Sequence, residues 1–261
     1  LERKLQENIA EQKEIIATTT KTRMVPNFGG LVAGFTLQKV PDESKLAPLR
    51  KEYDLLTAAI EKKRETEKKA AEAQAELDKV TNEARKQTEE LMKSIAGKYG
   101  FASGSGGWGT TMTVASDGTF SGTYHDSDMG ITGDDYPNGS VTISNFKGRF
   151  KDAKKNADGS YTMQCDKSAL KIDGNIGDTY IKNGSKYTVA DPYGIAPCGT
   201  FTVYPAGYDS SQLSEAIVGW SHAWYDSMPA KLETPIIVNA EDTNLGSESQ
   251  QDAFFQSKYL E

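Results

Sequence analysis

A helical repeat over residues 46–96 that stops abruptly constrains this chain more than any other feature. Leu49, Leu56, Leu77 and Leu91 fall on one seam position, with Lys63, Ala70 and Ala84 between them. Leu46, Tyr53, Ile60 and Ile95 fall on the other, interrupted by Glu67, Gln74, Thr81 and Thr88. That heptad spacing predicts one long helix with a seam that is apolar at its ends and polar in the middle. The middle, "EKKRETEKKAAEAQAE", is made of strong helix formers and sets Glu and Lys four apart, as in Glu65 and Lys69. At 1.5 Å per residue such a helix is about 75 Å long. Asp42 or Ser44 suits its N-cap, Pro48 is tolerated in a first turn, and Gly97 suits its stop.

Residues 1–17 predict a shorter amphipathic helix with Leu1, Leu5, Ile9 and Ile16 on one face. Pro26, Gly29, Gly30, Gly34 and Pro41 prevent it from continuing through 18–44. The seam of the long helix needs cover from this first helix, from a segment outside the sequence, or from another copy of the chain. A homo-oligomer through the helical part is therefore an expectation.

From Tyr99 the period becomes two. "WGTTMTVA" (108–115) alternates, Asp117-Gly118 is a two-residue hairpin signal, and "FSGTY" (120–124) returns. Further strands are predicted at Ser140–Ser144 and Phe146–Phe150, with a break at Asn145, and at "SYTMQC", "SKYTVA", "GTFTVY" and "TPIIVN". Asp158-Gly159 and Asn183-Gly184 mark tight turns between them. Gln212–Tyr225 reads as a helix capped by Ser210 or Ser211, with Leu213, Ile217, Trp220 and Trp224 on one face, set to plug or flank the strands. The stretch from Glu241 to Phe255 reads as a hairpin or edge segment. The expected class is α+β and multidomain. Residues 1–98 form a coiled-coil stalk or helical hairpin, and 99–261 an antiparallel β-barrel or β-sandwich with one packed helix. The meander of hairpins favours an up-and-down barrel.

Charge and aromatic content follow the same division. Residues 1–98 carry a net charge of +2 and residues 99–261 one of −9. Three aromatics precede Tyr99 and 21 lie from it onward, so the packed core belongs to the second part. An acidic β-domain argues against nucleic acid, which requires a basic footprint. "GGLVAGF" (29–35) is too short to span a membrane. A chain opening on Leu1 reads as a fragment or processed form, so membrane attachment is expected only through an N-terminal anchor outside it. Cys165 and Cys198 form one disulfide in an oxidising compartment, or remain two buried thiols.

The chemistry-bearing stretch is "YHDSDMGITGDDYPNG" (124–139). Asp126, Asp128, Asp134 and Asp135 offer hard oxygen ligands, which makes calcium the one cofactor to consider. Asp126-x-Asp128 opens like an EF-hand loop, but Gly130, Ile131 and Pro137 stand where a ligand, the turn glycine and the bidentate Glu belong. The other readings are an acidic connection closed by Asx-turns and a ligand loop at a barrel mouth. For the ligand reading the residues are Trp108, Tyr124, His125, Asp126, Asp128 and Tyr136. Trp108, Tyr124, Tyr136, Tyr193, Tyr204, Tyr208, Trp220 and Trp224 are candidates for a carbohydrate or peptide platform, most of them expected in the core. A hydrolase using two of the aspartates is a further alternative. His125 and His222 are the only histidines, neither near a G-x-S-x-G elbow, and "SGSGG" (103–107) leads into a strand, so no triad or P-loop is expected.

"GGW" (106–108), "DGTFSGTYHDSDMG" (117–130), "YPNG" (136–139) and "FKGRF" (146–150) are similar to a β-domain of uncharacterised extracytoplasmic proteins and lipoproteins of Gram-positive, often gut-dwelling, bacteria. The opening hairpin also resembles that of calycin-type barrels, the lipocalin and avidin architecture. The first resemblance carries no catalytic residues. It implies a cell-surface, secreted or lipid-anchored location, which the helical spacer fits. The function expected of the whole is a non-enzymatic domain that binds an extracellular glycan or peptide, with a calcium-stabilised structural domain as the alternative.

Overall fold

A computed structural model describes residues 1–18, 20–27, 34–102, 106–221, 227–241 and 253–256. The chain forms two compact units, Leu1–Lys79 and Val80–Glu261.

The first unit holds α1 (Glu2–Thr18), a two-stranded antiparallel ribbon of β1 (Thr20–Asn27) and β2 (Gly34–Pro41), and most of α2 (Glu43–Ser94). Sequence patterning missed the ribbon, because its prolines and glycines read only as breaks. Asp42 caps α2, its carboxylate accepting from Ser44 N–H and Oγ–H. α1 runs antiparallel to the start of α2. Asn8 donates to the Leu49 carbonyl and the Glu52 carboxylate, and Arg64 pairs with Glu2. Leu46, Leu56 and Ile60 are buried. On α1 the covered face centres on Asn8, with Leu5 and Ile9 half-buried, whereas Leu1 and Ile16 are exposed. Residues 61–87 are exposed all round, with i,i+4 pairs such as Glu65–Lys69 and Arg85–Glu89 along them.

The second unit is a closed antiparallel barrel of eight strands. β3 (Gly97–Ala102), β4 (Trp108–Val114), β5 (Thr119–Asp128), β6 (Ser140–Lys155) and β7 (Tyr161–Cys165) follow one another around the wall. An excursion of β8 (Lys171–Ile172), β9 (Thr179–Lys182) and β10 (Ser185–Val189) intervenes. The wall resumes with β11 (Thr200–Tyr204), β12 (Ile236–Asn239) and β13 (Ala253–Gln256), and β13 pairs with β3 to close it. Closure settles the choice between barrel and sandwich.

Three expectations are corrected here. β6 runs unbroken through Asn145, because that residue faces outward, where a polar side chain interrupts nothing. Phe254 and its neighbours form an interior wall strand, paired on both sides, and not a hairpin or edge. The helix begins late: Asp209 caps a 3-10 turn at Ser210–Gln212, and α3, described over Glu215–Ser221, starts three residues after the predicted start. His222 and Trp224 lie outside the described residues.

The turns follow their residues. Asp117-Gly118 and Asp158-Gly159 close three-residue connections, one residue longer than the sequence signal suggests. Gly118 N–H donates to the Ala115 carbonyl and Ala115 N–H to that of Thr119; Asn156, Gly159 and Ser160 repeat the pattern. Gly118 sits at φ +83, and a side chain there would strike the Phe150 carbonyl and Met92. Asn183-Gly184, both at positive φ, is the two-residue turn its sequence predicts.

Inward residues of alternating strands fill the barrel: Tyr99, Phe101, Met112, Phe120, Phe146, Phe150, Met163, Phe201, Val203, Ile237 and Phe254. The last turns of α2 complete this core. Leu91, Met92 and Ile95 are buried within it, Thr88 Oγ1 accepts from Ala153 N–H, and Tyr99 O–H donates to the Ile95 carbonyl. A second cluster on the outer wall of β11–β13 joins Tyr208, Leu213 and Ile217 to Ile236, Val238 and Phe255. Cys165 and Cys198 form a disulfide where the excursion leaves and rejoins the wall, next to the bond from Cys165 N–H to the Gly199 carbonyl. Closing a loop of sequence separation 33 contributes about 4 kcal/mol in the chain-entropy account.

Candidate functional site at the barrel mouth

The site is built by strand alternation. On β5 the inward series Phe120, Gly122, Tyr124 continues as Asp126 and Asp128. Trp108 on β4 lies opposite Asp126, and on β6 Ser144, Thr142 and Ser140 lie opposite Tyr124, Asp126 and Asp128. β10 extends this face by parallel pairing with β6, setting Lys186 beside Ser140 and Thr188 beside Thr142. Trp108, Tyr124, Asp126 and Asp128 therefore share the face that rises from the barrel interior past the mouth. His125 pairs with Gly109 and Ile143 and faces outward, so the structure separates it from the other five predicted ligand residues.

The throat is packed with aromatic rings. Trp108 lies 5.1 Å from Phe101, 5.3 Å from Tyr193 and 5.8 Å from Trp220, centroid to centroid, all edge-on. Tyr124 lies 6.1 Å from Tyr193. Two hydrogen-bonded anchors hold the Tyr193 loop. Thr110 Oγ1 donates to the Tyr193 carbonyl, and fully buried Asn239 donates to the Gly194 and Pro197 carbonyls. Beside Tyr124, across the β5–β6 pair, the Ser144 hydroxyl is buried with no hydrogen-bond partner among the described residues. Such a group costs about 1–3 kcal/mol. Burial, and after it the charge of Asp126, hold the Tyr124 phenol above its ordinary pKa.

The β5–β6 connection folds over the rim. Asp128 accepts from Gly130 N–H at 2.7 Å, closing an Asx-turn. Gly139, at φ +95, fits against the Asp128 carbonyl with no room for a side chain. Asn138 ties the connection to the β9–β10 turn through the Gly184 and Asn183 carbonyls. The Tyr136 ring packs over Gly133, and Lys186 Nζ stands 5.7 Å from its centre. Asp134 and Asp135 are exposed. Among the described residues no group of three or more His, Cys, Asp or Glu side chains is placed to hold a metal ion.

The mouth thus presents rings, two exposed carboxylates, threonine and serine hydroxyls and one ammonium on one surface. Sequence reasoning missed Ser144 and Lys186. Ser144 carries no local signal, and Lys186 arrives through a parallel pairing about 45 residues away in sequence. Of the other platform candidates, Tyr204 and Tyr208 pair with each other on the outer wall, away from the mouth. No family model, curated protein or solved structure matches this chain.

Proposed function

We propose that this is a cell-surface protein whose helical part is a spacer and whose barrel is a non-enzymatic, glycan-binding domain. One observation carries the reading: Trp108, Tyr124, Asp126 and Tyr136 gather at the barrel mouth with Thr142 and Lys186. Apolar sugar faces stack on aromatic rings, while carboxylates and hydroxyls take up sugar hydroxyls. The Ser144 hydroxyl beside Tyr124, without a partner among the described residues, supports a polar ligand over a purely apolar one. The Cys165–Cys198 disulfide supports a location outside the reducing cytosol. The eight-strand meander is compatible with the calycin-like arrangement that the opening hairpin resembles, and attachment to a membrane is proposed to lie with an N-terminal anchor.

The test is calorimetric titration of the full chain with a panel of soluble mono- and oligosaccharides. Asp126→Asn and Tyr136→Ala are expected to weaken binding about tenfold each, the loss of one charge-assisted hydrogen bond or one stacking contact, with the melting temperature unchanged. Titration of extended peptides in place of sugars would move the reading to a peptide ligand. A calcium-dependent rise in melting temperature, abolished by Asp126→Asn with Asp128→Asn, would replace it with a calcium-stabilised loop.

A further inference from the structure

The excursion ends in a bare sheet edge. β9 pairs with β10 on one side, and among the described residues nothing pairs with the other. All four β9 residues are exposed, Tyr180 at 46% and Ile181 at 50%. The strand has no proline and no bulge, and its shortness and Lys182 at its end are the devices that blunt it.

Its free groups can be read from its paired ones. Val189 N–H donates to the Asp178 carbonyl. In an antiparallel ladder bonded and non-bonded pairs alternate. The Asp178 carbonyl and the backbone groups of Tyr180 therefore face β10, the Asp178 N–H donating instead to the Asn175 carbonyl, and the groups of Thr179 and Ile181 point away from the sheet.

We propose that β9 pairs antiparallel with β9 of a second copy of this chain, about a two-fold axis through Tyr180. In this register Thr179 faces Ile181 of the other copy, and each pair exchanges two backbone hydrogen bonds, four in all. Tyr180 faces its own counterpart as the close, non-bonded pair. Tyr180 already stacks on Tyr187 at 5.0 Å and 5°, so the axis generates a row of four rings on one face. Asp178 of each copy meets Lys182 of the other, giving two cross-strand ion pairs. The register centred on Ile181 makes fewer hydrogen bonds and sets Lys182 against Tyr180, with no opposite charge. Backbone, rings and charges thus select one self-complementary arrangement. It joins the sheets of two barrels at a small interface, which predicts weak, concentration-dependent association.

Sedimentation of the full chain up to about 0.3 mM, a range suited to so small an interface, is expected to show a monomer–dimer equilibrium. Ile181→Pro removes an outward N–H without touching the bonds to β10, and is expected to lower the association constant at least tenfold. Lys182→Asp places like charges opposite each other. It is expected to weaken the dimer at low salt and to recover in high salt. Tyr180→Cys brings two Cα atoms to about 4.5 Å across the axis, within the span of a disulfide. It is expected to cross-link under mild oxidation far faster than Ile176→Cys, an exposed position before the strand. A chain that stays monomeric overturns the proposal. So does a dimer indifferent to both Ile181→Pro and Lys182→Asp, or Tyr180→Cys cross-linking no faster than the control.

Discussion

One residue pattern recurs where this chain turns. An aspartate accepts hydrogen bonds from both the backbone N–H and the hydroxyl of the Ser or Thr two positions on. Asp117 with Thr119, Asp158 with Ser160, Asp166 with Ser168 and Asp209 with Ser211 all do so. In each case the side-chain hydroxyl bond, followed by the backbone bond, lowers the carboxyl pKa below its ordinary value. A carboxyl with a depressed folded pKa contributes stability above its unfolded pKa and loses it as pH falls through the folded one. The chain is therefore expected to lose stability progressively below about pH 4, the ordinary aspartate value. Replacing all four by Asn keeps an acceptor but removes the titration. Urea melts between neutral pH and pH 2 should show the wild-type advantage shrinking as pH falls; parallel curves would show that these turns do not couple to protons. Asp128 belongs to the same pattern with Gly130 in place of the hydroxyl residue, which explains why part of the acidic stretch is structural.

At the scale of elements, legibility followed the range of the forces involved. Asp-Gly and Asn-Gly turns and period-two strands are local, and they were readable; the shared face of Trp108, Tyr124, Asp126 and Asp128 follows only from the register of β4, β5 and β6. β13 was not: its four residues have meaning only between β12 and β3, their partners far away in sequence. The Tyr193 loop also reaches the mouth through distant partners, Thr110 and Asn239. The end of α2 is the clearest case. Its heptad continues to Ile95 and suggests a helical partner, yet Leu91, Met92 and Ile95 pack into the barrel. A fragment of residues 80–261 is therefore expected to melt well above one of residues 99–261. Losing three buried side chains at about 2–5 kcal/mol each removes much of the 5–15 kcal/mol that holds a domain of this kind. Equal melting temperatures would show that the helix end contributes nothing to the core.

At the scale of the whole molecule, the two units differ in what holds them. The helical unit buries few large apolar side chains, Leu46, Leu56 and Ile60 among the described residues, and otherwise relies on helix propensity and exposed ion pairs. Such pairs are worth about 0.3–0.5 kcal/mol each and weaken in salt. The barrel has a closed wall, a dense aromatic core and a disulfide. Two-state melting of the full chain is therefore not expected. The spectroscopic signals separate the units, because 21 of the 24 aromatic residues lie from Tyr99 onward. Far-ultraviolet circular dichroism at the helical minimum should begin to fall at lower temperature and shift further down in salt. Near-ultraviolet dichroism, which reports the packed rings, should hold until the barrel unfolds. Reduction of Cys165–Cys198 should lower only the second transition, by the stability its loop closure supplies. If the two signals move together, with and without reductant, the stability of the helical unit is borrowed from the barrel through α2, and the chain unfolds as one cooperative body.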